Sequence, residues 1–292
     1  MISIVTPTYQ RGDKLHKLYE SLLRQTCKDF EWIIVDDGST DGTDEVCAKF
    51  LSDKKIQIYY RRIENGGKCA AVNIAVQMAN AEYILIVDSD DWLKDDAVDI
   101  IEAHLKYFDD SICALSFFRE YSDGRINGKF FKQDAFQANY IDVRVNSKDG
   151  WNDKSEVYRT DILKKYPFPK FGEERFLAEN IVWIPMSYKY DMYFFNKSIY
   201  VGEYLEGGLT KSVFRNKRKN PIGAYKVAEL YIGPKMNFIN KIKGSILYTY
   251  YARIAFGSHR EAYVNSKHKM FYLLTFLTSL IYGEILKKKE NQ

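Results

Sequence analysis

Ala81-Glu82-Tyr83-Ile84-Leu85-Ile86-Val87-Asp88-Ser89-Asp90-Asp91-Trp92 is the stretch whose reading decides the fold. Tyr83 to Val87 form an uncharged apolar run bounded by polar residues, the pattern of a strand buried on both faces of a sheet. Three carboxylates follow within four positions. In open α/β sheets, ligands bind at the carboxyl ends of strands. Asp88 and Asp90 flank a single residue, so their backbones can aim both carboxylates at one spot. Clustered carboxylates repel unless a cation neutralises them, and hard oxygens suit Mg²⁺ or Mn²⁺. The ordinary alternative is capping of the segment from Leu93 by Asp90 or Asp91. The strand end favours the ligand reading for Asp88 and Asp90, and leaves Asp91 between the two.

The flanking chain supplies a sheet for this strand. Ile2 to Thr6 reads as a first strand, broken by Pro7-Thr8-Tyr9-Gln10-Arg11-Gly12, and Leu15, Leu18, Leu22 and Leu23 mark a helix face. Phe30 to Val35 is a second strand, ending in the turn Asp36-Asp37-Gly38-Ser39-Thr40-Asp41-Gly42. A helix over Thr43 to Leu51, a strand over Ile56 to Tyr60, the loop Asn65-Gly66-Gly67-Lys68 and a small-faced helix through Met78 complete the alternation. Such alternation predicts a parallel α/β sheet to about residue 110. Three polar strand ends, at Thr6 to Tyr9, Asp36 to Asp41 and Asp88 to Asp91, then share one edge. Hydroxyls, carboxylates and a metal there suit a nucleoside diphosphate. Neither G-x-x-x-x-G-K-[ST] nor G-x-G-x-x-G is present, which throws weight onto a cation at Asp90.

Beyond residue 110 the pattern changes. Ile112 to Phe118 is a strand, Asp123-Gly124 and Asn127-Gly128 are hairpin-type turns, and Gly150 to Arg159 leads from a loop into a strand. Thr160-Asp161 starts a short helix. Leu177, Ile181, Ile184 and Tyr188 have helical spacing, with Glu179 off that stripe; by spacing alone Glu179 reads as an ordinary solvated acid at a helix start. Tyr193 to Phe195 and Ile199 to Tyr204 read as two strands. Glu206 to Thr210 is a glycine-rich turn. Lys211 to Lys219 carries five basic residues, a solvated face or a basic loop that closes over phosphates.

Composition bounds the class. With 292 residues, 46% hydrophobic and 28% charged, the chain is one large globular domain or one with an appendage. Cys27, Cys47, Cys69 and Cys113 form no CxxC pair or metal spacing and read as reduced, buried thiols of a cytoplasmic chain. The N-terminus runs straight into a strand and carries no signal-peptide pattern. The net charge of +4 conceals an asymmetry, because residues 207–292 hold 16 Lys and Arg against 4 Asp and Glu. An acidic front and a basic rear point the rear at an anionic surface or ligand. The uncharged run from Met270 to Gly283 is too short to span a bilayer. With Lys287-Lys288-Lys289 behind it, it reads as an interfacial helix on an anionic leaflet, or as a helix docked on the domain or in a homodimer interface.

Taken together, Ser3 to Tyr9, Gln25-Thr26, Trp32 to Thr43 and Tyr83 to Asp91 resemble glycosyltransferase family 2, inverting enzymes with the GT-A fold, in order and spacing over residues 2 to about 110. Asp153 to Arg159, the Glu179 helix and Glu203 to Thr210 resemble, more weakly, the second half of bacterial members that build surface polysaccharides. The resemblance implies a nucleotide-sugar-binding half over residues 1–110, an acceptor-binding half over 111–210 and a basic, aromatic helical extension over 211–292. It implies that Asp37 bonds the base, with Thr6, Pro7 and Tyr9 lining its pocket, that Gly67 and Lys68 border the nucleotide, and that Asp88 and Ser89 lie near the ribose. Asp90 then ligates Mn²⁺ or Mg²⁺ and Glu179 is the general base. Asp91, Trp92, Asp153, Lys154, Lys211 and Arg215 are further candidates for donor or acceptor contact. Many members carry Glu-Asp where this chain has Glu179-Asn180; Glu179, four residues before Trp183, is the base favoured here.

These residues imply metal-dependent transfer from a nucleotide sugar, with uracil favoured as the base, to a growing, lipid-linked oligosaccharide. A nucleotidyltransferase would need a glycine- and lysine-rich phosphate loop after the first strand, which Pro7 to Gly12 does not resemble. A non-catalytic nucleotide-sugar-binding partner subunit is the second reading. Nucleic-acid binding is disfavoured, since no recognised motif accompanies the basic charge.

Overall fold

A computed structural model describes residues 1–148, 150, 152–202 and 213–290. The first half alternates as its pattern predicts: β1 (Ile2–Thr8), α1 (Leu15–Arg24), β2 (Phe30–Asp36), α2 (Thr43–Asp53), β3 (Gln57–Arg62), α3 (Lys68–Met78), β4 (Tyr83–Ile86), β5 (Trp92–Leu93) and α4 (Ala97–His104). Then come β6 (Ile112–Glu120), β7 (Phe136–Ala138), β8 (Lys154–Arg159), α5 (Thr160–Leu163), α6 (Asn180–Ser187) and β9 (Asp191–Val201). The rest is helical: α7 (Val213–Lys219), α8 (Pro221–Leu230), α9 (Phe238–Phe256), α10 (His259–Val264), α11 (Lys269–Leu274) and α12 (Phe276–Glu290). No described helix is long and apolar enough to cross a membrane.

The strands form one sheet in the order β3-β2-β1-β4-β8-β6-β9-β5, with β7 on β9. The members β3, β2, β1 and β4 are parallel. β8 is antiparallel to both β4 and β6, and β6 is parallel to β9. Hence the carboxyl ends of β1, β2, β4, β6 and β9 and the amino end of β8 meet at one edge. Alternation along the central strands divides the core. Ile2, Ile4, Trp32 and Ile34 face α1 and α4. Val5, Ile33 and Val35 face α3 and α6. A separate aromatic core of Tyr225, Tyr248, Tyr251 and Tyr272 binds the C-terminal helices together.

Some sequence expectations need correction. The two strands read at Tyr193 and Ile199 are one, β9, whose pairing with β6 shifts register. Asn196, which looks like a turn residue, exchanges two hydrogen bonds with the Phe131 backbone, accepting at 2.8 Å and donating at 2.9 Å. That long-range pair satisfies an irregularity that sequence reads as a break. The end of that expected strand and the turn at Glu206 to Thr210 lie outside the described residues. The basic run is helical from Val213, not a loop. The Met270–Gly283 run is two helices parted at Thr275. Cys27 is only half-buried, while the other three thiols are buried.

Candidate active site

The shared edge opens into a cavity of about 880 Å³. Pro7, Tyr9, Asp37, Gly67, Lys68, Asp88, Ser89, Asp90, Asp91, Asp153 and Glu179 all line it. At one end Asp37 follows β2, and its two carboxylate oxygens accept the Gly66 and Gly67 amides at 2.7 and 2.8 Å. Burial raises its proton affinity, opposed by those amides and by Arg175. Gly67 adopts φ +91°, and a Cβ there would fall 1.8 Å from the Arg175 carbonyl oxygen. Only glycine fits, so the loop passes against 175 and launches α3 with Lys68 at its start.

Lys68 links the two halves of the cavity. Its Nζ lies 2.7 Å from Asp88 Oδ1 and 3.1 Å from Glu179 Oε1. Glu179 is the residue preceding α6 and is half-exposed. It reaches the cavity because α6 packs Val182 and Trp183 beneath it. Its neighbour Asn180 does not line the cavity: its amide accepts from the Tyr140 hydroxyl and donates to that of Tyr231, both at 2.6 Å.

Each of the three carboxylates after β4 has its own partners, and Asp88 and Asp91 also share Arg119. Asp88 faces Lys68 and, at 3.8 Å, Arg119. Burial alone would raise its proton affinity, but these two cations outweigh burial and hold it below the usual carboxylate range. Asp91 accepts from the Tyr200 hydroxyl at 2.7 Å, and that oxygen also accepts the Asp88 amide at 3.0 Å. Burial, then the Asp88 charge, pushes Asp91 up to about 7. Asp90 lies 3.9 Å from Arg11 Nε. Burial first, then repulsion from Asp88, raises it. A divalent cation suits this corner, because it would relieve both effects at Asp90. With Asp88 and Asp91 otherwise engaged, Asp90 is the carboxylate that could hold Mg²⁺ or Mn²⁺, which usually take one or two carboxylates.

Several candidates stand elsewhere. Thr6 points into the core, where its hydroxyl accepts from the Trp32 indole at 3.0 Å. Thr8, two residues on and therefore on the same side of the strand, lines the cavity because β1 ends there. Trp92 lies under Lys17, 4.7 Å from its ring centre, and is not in the lining. Lys154 is buried over the Phe118 ring at 4.1 Å, and burial lowers it to about 8. Arg215 is exposed on α7, while its neighbour Asn216 lines the cavity. Lys211 lies outside the described residues.

Sequence reading missed Arg11, Arg119, Glu156, Tyr158, Arg175 and Trp183 in the lining. Arg119 was findable, as the charged end of an apolar strand on the same edge. Its guanidinium sits 4.0 Å from the centre of the Tyr200 ring. Tyr158 and Trp183 stack at 4.6 Å, a pairing across 25 residues that no local pattern announces.

The model for Glycosyl transferase family 2 matches residues 3–172. Among curated proteins, the chain is 34% identical over 180 residues to glycosyltransferase GlyG of Streptococcus pneumoniae, covering 60% of each. It is 36% identical over 119 residues to the putative teichuronic acid biosynthesis glycosyltransferase TuaG of Bacillus subtilis, covering 40% of this chain and 45% of that one. The matches span between about a third and three fifths of the first such relatives. Among solved structures, TarS 1–349 of S. aureus superposes with a TM-score of 0.58 at 20% identity, over 96% of this chain and 78% of that one. A mannosyltransferase of Pyrobaculum calidifontis in complex with GDP-Man and Mn²⁺ superposes with a TM-score of 0.58 at 15% identity, over 98% and 82%. These likenesses show a shared fold, the GT-A fold.

Proposed function

Since the chain belongs to glycosyl transferase family 2, we propose that it moves a sugar from a nucleoside diphosphate, uridine diphosphate by preference, to a hydroxyl of a growing lipid-linked oligosaccharide of a bacterial surface polysaccharide. The observation that carries this reading is the single cavity in which Lys68 touches both Asp88 and Glu179. It spans from Asp37 and Tyr9, where the base would lie, past Asp88 to Asp90, at the diphosphate, to Glu179. GlyG and TuaG, whose names concern glycosyl transfer and teichuronic acid biosynthesis, support the substrate class. TarS structures hold UDP and UDP-GlcNAc, which supports the uridine donor. The acceptor class brings the protein to the inner face of a membrane as a peripheral enzyme.

In this reading Tyr9 covers the base and Asp37 fixes the loop that frames it. Lys68, Arg11 and Arg119 supply positive charge toward the diphosphate. A divalent ion held by Asp90 would neutralise charge on the leaving diphosphate. Glu179 takes the proton from the acceptor hydroxyl as that oxygen attacks the anomeric carbon opposite the leaving group. One displacement inverts the anomeric centre, and no side chain becomes glycosylated. Lys68 leaves Glu179 for the diphosphate when donor binds, so the base is released only in a loaded site.

The test is a donor-hydrolysis panel. Protein with Mn²⁺ is incubated with uridine, guanosine and thymidine diphosphate sugars, and released diphosphate is read. Slow release from one donor, abolished by chelation, is expected. Absence of both release and nucleotide binding across the panel would overturn the reading; nucleotide binding without release, even with a lipid-linked acceptor, would favour a non-catalytic partner subunit.

A further inference from the structure

The C-terminal helices keep an aromatic core but leave an aliphatic face uncovered. Met270, Leu273, Leu274, Leu277, Ile281 and Ile285 follow one another at the three- and four-residue steps of a helix face, and all six are exposed, Leu274 by 73% and Leu277 by 71%. The opposite side is buried, and small or polar residues share it with Tyr272 and Leu286. Thr275 and Ser279 are buried, and Gly283 abuts the Tyr250 ring so closely that a Cβ would fall 2.8 Å from it. A helix pair facing water buries its aliphatic stripe; this pair packs aromatic rings, threonine, serine and glycine inward and presents most of its leucines and isoleucines outward.

The stripe extends onto a second helix. The Thr275 hydroxyl donates to the Ser245 carbonyl at 3.1 Å and lies 2.8 Å from that of Thr249. The junction of α11 and α12 is thereby held one turn from Ile242 on α9. Phe238, Ile239 and Ile242 on that first turn are exposed, Phe238 by 76%. Elsewhere among the described residues the most exposed large apolar side chains are Val264, at 59%, and Phe130, at 52%, and neither continues the stripe in sequence.

Charge identifies what covers this face. Between Leu230 and Ile285 the sequence holds seven lysines and arginines and two acids, Glu261 and Glu284. Lys243 follows Ile242 directly, and Lys267 and Lys269 precede Met270; all three are exposed. An apolar face with a basic rim repels a second copy of itself, because rim would meet rim. It suits the boundary between headgroups and acyl chains of an anionic bilayer. With no described helix able to span, the contact lies in the membrane plane.

We propose that α9, α11 and α12 form a monotopic platform that inserts the Met270–Ile285 stripe and the first turn of α9 into an anionic lipid surface. The proposal deepens the transferase reading, and rests on it, only in naming the surface from which a lipid-linked acceptor is presented. The test sediments the full chain with phosphatidylcholine vesicles, with and without about one third phosphatidylglycerol. Uridine diphosphate binding is measured on the same protein, so the two readings fail separately. Binding is expected to the anionic vesicles, to survive salt in part, and to fall at least about tenfold in Leu274→Glu/Leu277→Glu, with nucleotide binding unchanged. Leu274→Gln/Leu277→Gln, uncharged, should fall in the same direction. Absence of vesicle binding, equal binding by these variants, or a concentration-dependent dimer that the same substitutions dissolve would overturn it.

Discussion

Gly67→Ala is the sharpest perturbation of the site frame. The added Cβ would lie 1.8 Å from the Arg175 carbonyl oxygen and 2.7 Å from its carbon, where real Cβ contacts stay beyond 3.0 Å. Both partners are backbone, so the loop or the segment at 175 must retreat by more than about 1 Å, an overpacking that costs about 1–3 kcal/mol. The φ of +91° adds strain for any side chain, about 1–3 kcal/mol. That retreat strains the amide bonds of Gly66 and Gly67 to Asp37, now 2.7 and 2.8 Å; each bond to a charged acceptor contributes about 1.5–3 kcal/mol. These terms overlap, and a stability loss of about 3 kcal/mol follows, lowering Tm by roughly 6–12 °C. Donor binding must then reorder the loop, weakening uridine diphosphate at least about tenfold. Gly124→Ala is the control: φ is +81° there, but nothing lies within 4 Å of the added carbon. It should lose a little stability and no nucleotide affinity. Calorimetry and thermal melting read both. Nucleotide affinity in Gly67→Ala within about twofold of the parent, or equal weakening in Gly124→Ala, would refute the reasoning.

Asp90→Ala should abolish the gain in nucleotide affinity that Mn²⁺ confers, leaving metal-free binding near the parent value in titration calorimetry; a gain that persists would move the metal elsewhere. Lys68→Met removes the cation between Asp88 and Glu179 and should weaken nucleotide diphosphate about 10–100-fold, while nucleoside binding changes little. A pH effect comes from Glu31, buried between Ser3 and Asn80. Burial would raise it, but hydrogen bonds from Asn80 and Ser3 prevail and its folded value is depressed. Its contribution to stability is therefore full above the unfolded value of about 4.3 and is lost as pH falls through the lower folded value. Denaturant midpoints from pH 5 down to 3 should fall more steeply in the parent than in Glu31→Gln; parallel slopes would contradict this.

Much of the first half was legible because its signals are local. A parallel strand buried on both faces announces itself as an apolar run, and its polar end marks the edge, as Tyr83 to Asp91 does. Assigning side chains at that edge needs more than type. Thr6 and Thr8 share one side of β1 and both are buried, yet only Thr8 lines the cavity, because Trp32 covers Thr6. Asp88 and Asp90 were expected at one spot, but what each carboxylate meets there is set by Lys68, Arg119, Tyr200 and Arg11, and those partners come from four other segments. The fusion of two expected strands into β9 turns on Asn196 meeting Phe131, a contact without local trace. In the tail, composition revealed an uncharged run beside basic residues. Its uncovered aliphatic face emerges only when Thr275, Ser279 and Gly283 are seen against α9.

The central claim is that Glu179, released by Lys68 when donor binds, takes the acceptor proton. It is tested most directly by the transfer rate of Glu179→Gln beside its donor affinity. The account predicts a rate lower by about 10²–10⁴-fold, with uridine diphosphate-sugar binding within a few-fold of the parent and full metal dependence retained. A Glu179→Gln protein that transfers sugar at the parent rate would contradict it.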